Sequence, residues 1–125
     1  MAFRLPRSSR IQSPDVLSPY LELFMIASHP EPLFELGKLH ATPAALQSIH
    51  DSGQDVSDFL NQHVHGDWGA LSEIDRLNND EAVATGDRIF SVYRTGNGTK
   101  IWIITEPEDD AGNRYLTTVV LPSEH

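Results

Sequence analysis

The chain has no cysteine, which excludes disulfides, thiolate metal ligands and a cysteine nucleophile. Positive charge is scarce: nine Lys and Arg stand against 18 Asp and Glu, for a net charge of −9. Holding duplex nucleic acid over a whole surface needs clustered cations to meet the phosphates, and this composition argues against it. No apolar run approaches the roughly 18–20 residues that cross a bilayer as a helix. What is present is 125 residues, 39% hydrophobic and 22% charged, enough for one folded domain rather than a disordered chain. The expectation is an acidic, cytoplasmic protein with no membrane partner and no cofactor.

Residues 1–34 differ from the rest. Arg4, Arg7 and Arg10 balance Asp15, Glu22 and Glu31, so the whole net charge falls on residues 35–125. Ser, Pro and Arg dominate 1–17, a composition that does not favour structure. Ser18-Pro19 is a good helix start, with Ser as N-cap and Pro at the first helical position, and His29-Pro30 is a stop. The apolar stretch between them is short and carries Glu22, a weak match to a secretion signal. Residues 1–34 therefore read as a partly disordered extension bearing one apolar helix, with Met25 as an alternative start of translation.

Residues 35–125 read as a single α+β domain. A short strand is expected within 35–41. Thr42-Pro43 opens a helix through Leu46 and Ile49; a second runs over 55–63, with Val56, Phe59, Leu60 and either His63 or Val64 on one face. A third is expected over 72–84, with Ile74, Leu77 and Val83 as its inward residues. Strands then follow at 88–95, 99–106 and 114–121, the first two joined by Gly96-Asn97-Gly98, residues that accept positive φ cheaply. The expected architecture is N-terminal helices packed on a C-terminal three-stranded antiparallel meander.

The most unusual stretch is His63-Val64-His65-Gly66-Asp67-Trp68-Gly69. An imidazole near a carboxylate suits proton transfer near neutrality, with Asp67 orienting the ring. The plainer reading is a core histidine, a helix stop and a core tryptophan. A metal would need a further ligand, because residues two apart on a helix do not share a face. On the strands, Ser91, Tyr93 and Thr95 share one side and Phe90 and Val92 the other, while Thr105 sides with Ile101 and Ile103. Hydroxyls so placed serve either as cross-strand partners or, with Arg88 or Arg94, as an oxyanion or phosphate site. The run Glu106-Pro107-Glu108-Asp109-Asp110 is a solvated acidic loop or a surface for a basic partner.

Five segments together carry a resemblance: ATPAAL at 41–46, HVHGDWG at 63–69, SVYRT at 91–95, KIWIITE at 100–106 and TTVVLP at 117–122. They resemble a family of small, functionally uncharacterised proteins of plasmids, phages and integrated elements, across residues 35–125. A looser similarity, at the level of fold, exists to the barnase, colicin and RelE-like nucleases. It matches a helix-borne His63, Asn78 or Asn79 on the next helix, and Arg88, Tyr93, Arg94, Thr105 and Thr117 on the meander. This likeness implies a metal-independent RNA-cleaving domain, with His63 as general base, Asp67 orienting it, Arg94 or Arg88 on the phosphate, and Tyr93 or Thr105 completing the site. The charge of the whole chain favours a different reading: an accessory protein that binds a basic, nucleic-acid-binding host protein. A protein partner, an RNA substrate and a homodimer are the three associations these readings imply.

Overall fold

Each helix opens on a residue that satisfies free backbone amides. Thr42 Oγ1 accepts from the Ala45 amide (3.1 Å), and Pro43 begins α1, Pro43–Asp51. Asp55 caps α2, Val56–Val64, accepting from the Ser57 amide while its own amide donates to Asp58. Ser72 caps α3, Glu73–Thr85, which closes on Gly86 at φ +84°. The computed structural model describes residues 31–125, of which Pro32–His125 form one unit. The apolar helix expected over 18–28 lies outside the described residues.

The strands are β1 (Lys38–Ala41), β2 (Ile89–Arg94), β3 (Lys100–Thr105) and β4 (Leu116–Val120). The antiparallel ladders β2–β3 and β3–β4 follow the expected meander. The three-stranded sheet is corrected to four strands in mixed pairing, ordered β1-β4-β3-β2, because β1 adds to β4 in parallel. With β2 on one side of β3 and β4 on the other, β4 keeps one free edge. The helices carry the chain from β1 across to β2, and β1 fills that edge, its flanks held by Lys38 N to Tyr115 O (2.9 Å) and Thr42 N to Val119 O (3.0 Å).

The inner face of the sheet bears Ile101, Ile103 and Val119 against Ala45 and Ile49 of α1 and Phe59 and Leu60 of α2. Trp68, Ala82 and Ile89 form a second cluster, with Phe34 and Val83 beside it.

The expectation that Ile74 and Leu77 point inward is also corrected: they are 71% and 61% exposed. The helix lies along an edge. Asn79 Nδ2 donates to Phe90 O (2.7 Å) and its Oδ1 accepts from Phe90 N (3.2 Å), so an α3 side chain meets the β2 backbone and the helix buries only a narrow stripe. The same edge is closed further along by Ala70 N to Val92 O (2.7 Å) and Val92 N to Trp68 O (3.2 Å). Gly69 sits between them at φ +76°, where a Cβ would overlap the Val92 carbonyl.

Candidate functional site

His63 lies on the last turn of α2, on the face it shares with Phe59, Leu60 and Val64. It is fully buried. Its Nδ1 is 2.6 Å from Ser91 Oγ and its Nε2 2.8 Å from Thr105 Oγ1. Thr105 Oγ1 is in turn 2.8 Å from Thr117 Oγ1, and Thr117 donates to the Leu36 carbonyl (2.7 Å). The direction of this chain is fixed by its end. A carbonyl only accepts, so the single Thr117 proton goes to Leu36. Thr105 must then donate to Thr117, and His63 Nε2–H must donate to Thr105. That leaves Nδ1 as an acceptor from the Ser91 hydroxyl, and the imidazole is the neutral Nε2–H tautomer.

Burial, with the nearby Arg114 charge as a second cause, pushes the His63 pKa down to about 3. Phe34 meets its ring edge-on at 5.1 Å and Trp68 at 6.0 Å. Both ring nitrogens are therefore taken, within an aromatic and aliphatic wall.

The other residues named from the sequence lie elsewhere. Asp67 is exposed and staples its own loop, Oδ2 accepting from Gln62 (2.8 Å) and Oδ1 from the Gly69 amide (3.2 Å). Tyr93 is buried, and its hydroxyl donates to the Asp67 carbonyl (2.6 Å); burial drives its pKa well above the usual phenol value. Arg94 is exposed on the opposite face of the sheet. Arg88, also on that face, pairs with Glu106 at 3.0 Å. The geometry thus joins His63 and Thr105 in the core and does not bring Asp67, Tyr93 and Arg94 to the same cavity. A general base at His63 has no opening to a substrate. Trp68 packs in the core and donates to Asp80 (2.9 Å). Among the described residues, no three His, Asp or Glu side chains gather where they would hold a metal ion.

Two residues matter more here than the sequence suggested. Arg114 is buried, donating to the carbonyls of Ala82 (2.9 Å), Asp87 (2.8 Å) and Glu106 (3.1 Å). It ties the end of α3 to β3, and burial lowers its pKa. Nothing in its sequence neighbourhood marks it off from the other arginines. Asn79, raised only through the nuclease likeness, fixes α3 to β2.

With α3 held through Asn79, Ala82 and the Trp68–Asp80 bond, the opposite side of the helix faces solvent. Ile74 and Leu77 are neighbours there at i and i+3, and Glu81 continues the same stripe one turn further. Glu73 and Asp75 are exposed around it. An apolar pair ringed by carboxylates is an arrangement for contact with a surface that is apolar at its centre and basic at its rim.

No helix among the described residues is long and apolar enough to cross a membrane. Comparison with family models, curated proteins and solved structures finds no match to the chain.

Proposed function

We propose that this chain is a small acidic accessory protein of mobile elements that acts by binding another protein, namely a basic, nucleic-acid-binding host protein. The observation that carries the reading is the exposed Ile74–Leu77 pair on α3, set among Glu73, Asp75 and Glu81. A large aliphatic in water loses on the order of 2 kcal/mol relative to burial, so two side by side on a rigid helix favour a partner. The carboxylates supply the long-range attraction that speeds encounter with a cationic surface and discourages acidic ones. The mobile-element setting is supported by the sequence resemblance of 35–125 alone.

The test is capture of partners from a host lysate at low and high salt, with wild type and an Ile74→Ser/Leu77→Ser variant. A partner retained at low salt, released at high salt and lost with the variant is expected. Failure to retain any partner at low salt, or equal retention by the variant, ends the reading. RNA cleavage through His63 has less support, because the ring is sealed. Degradation of a mixed RNA pool by wild type but not by His63→Ala would restore it.

A further inference from the structure

The charge of the chain is not spread evenly over its fold. Of the cations in residues 35–125, Arg76 and Arg114 are tied to backbone carbonyls away from the sheet face, while Arg94 Nη1 makes a long bond to the Gly98 carbonyl of its own turn (3.4 Å). Lys38, Arg88, Arg94 and Lys100 all fall on the outer face of the sheet, the side away from α1 and α2. The parity is fixed by the ladders: Ile89, Ser91 and Tyr93, Ile101 and Ile103, and Thr117 and Val119 are buried on the inner side, so the alternate residues point outward. Glu106 is on that side too, and it is already paired with Arg88.

The same face carries a row of rings. Phe90 meets Trp102 edge-on at 5.1 Å, and Trp102 meets His125 at 5.5 Å. Phe90 and Trp102 are half-buried, with the buried Val92, Ile104 and Val120 as their cross-strand neighbours on the same face. His40 is exposed at the β1 side.

One pairing on this face is unfavourable in itself. Arg94 and Lys100 are direct cross-strand partners, and both are exposed. Like charges placed opposite each other destabilise a sheet, and a chain with twice as many acids as bases had the opposite choice available. An anion lying across the pair removes the conflict.

From this combination we infer that the outer face of the sheet is a binding site for single-stranded nucleic acid, with Arg94 and Lys100 on the backbone phosphates and the Phe90–Trp102 edge as the stacking platform for bases. Unpaired bases present the flat faces that aromatic side chains take up, and a short strand needs only a few cations, which suits an otherwise acidic protein. A duplex hides its base faces and demands more charge than this patch holds. The site is distinct from α3 and does not depend on the reading given to that helix.

The experiment is fluorescence anisotropy of a labelled 12-nucleotide U-rich RNA with the full chain at 50 mM salt. Its competitors are the same RNA as a duplex and polyglutamate. The single strand is expected to bind more tightly than the duplex, with Trp fluorescence quenched and polyglutamate a poor competitor. Arg94→Glu/Lys100→Glu is expected to weaken binding about tenfold or more and to flatten the salt dependence by about 1.4 in log–log slope, for two phosphate contacts at about 0.7 each. Should that variant fail to fold, Arg94→Gln/Lys100→Gln reads the same loss. Ile74→Ser/Leu77→Ser is expected to bind RNA as wild type does, which separates this site from the protein contact. Absence of binding by the full chain, equal binding by the Arg94/Lys100 variants, or equal competition by duplex or polyglutamate overturns the inference.

Discussion

His63 Nε2 donates to Thr105 Oγ1 at 2.8 Å, and with this bond a helix is tied to β3, an inner strand of the sheet, through a ring that never meets solvent. The bond is one link in a one-way chain, from Ser91 through His63, Thr105 and Thr117 to the Leu36 carbonyl. Every polar atom in it has a partner, which is the condition under which a buried polar network is compatible with stability.

The pH dependence of folding follows from the depressed His63 pKa. The unfolded chain takes up a proton near 6.5, while the folded state resists until about 3. The contribution of His63 is therefore complete above about pH 6.5 and is lost as pH falls, by about 1.4 kcal/mol per unit while only the unfolded state is protonated. Urea unfolding at pH 7, 6 and 5 should show wild type losing stability over this range. His63→Leu should show a much flatter profile between pH 6.5 and 5. Parallel profiles would mean that the ring is not held neutral.

Thr117→Val removes the outlet of the hydroxyl chain without changing volume much. Thr105 then has no acceptor for its proton, and the Leu36 carbonyl loses its donor. A loss of about 1–3 kcal/mol is expected. The cost should be non-additive with Thr105→Val, because the double change removes both partners together. Chemical denaturation of the two single variants and the double variant checks this.

Asn79→Leu breaks both bonds to Phe90 and uncovers part of the β2 edge. Destabilisation of about 1–3 kcal/mol is expected, with faster amide exchange at Phe90. Asn79→Asp is expected to be no better, since a carboxylate cannot donate to the Phe90 carbonyl.

The two surface proposals predict unusual stability effects. Ile74→Ser/Leu77→Ser should shift stability by only about 0.5 kcal/mol or less per site, because neither side chain is buried. Arg94→Glu places an acid opposite Lys100, and should stabilise the sheet by about 0.2–1 kcal/mol while weakening RNA binding. A melting temperature lowered by Arg94→Glu would show that the like-charge pair carries no conflict.

Much of the local structure was legible in the chain itself. Thr42, Asp55 and Ser72 are polar residues placed just ahead of helices, and capping is a contact between near neighbours. Thr95 and Gly96-Asn97-Gly98 make a hairpin for the same reason, Thr95 N bonding Thr99 O at 2.8 Å. The alternation that puts Ser91 and Tyr93 on one side and Phe90 and Val92 on the other is a property of any extended strand. Even the cross-strand use of Thr105 was foreseeable, since a hydroxyl among Ile101 and Ile103 requires a partner. The five proposed site residues were harder to place. His63 and Asp67 are four apart in sequence, yet the end of α2 turns one into the core and the other into solvent.

The sequence by itself determined the type and order of the elements from α1 onward, and which residues of each strand share a side, because caps, turns and periodicity act over a few residues. Only the tertiary structure decided that β1 adds in parallel to β4, that α3 lies on an edge with Ile74 and Leu77 outward, and that Lys38, Arg94 and Lys100 share a face. Those outcomes depend on which distant backbone groups remain unpaired once the meander has formed, and a one-dimensional pattern of apolar and polar residues specifies a face without specifying what will stand against it.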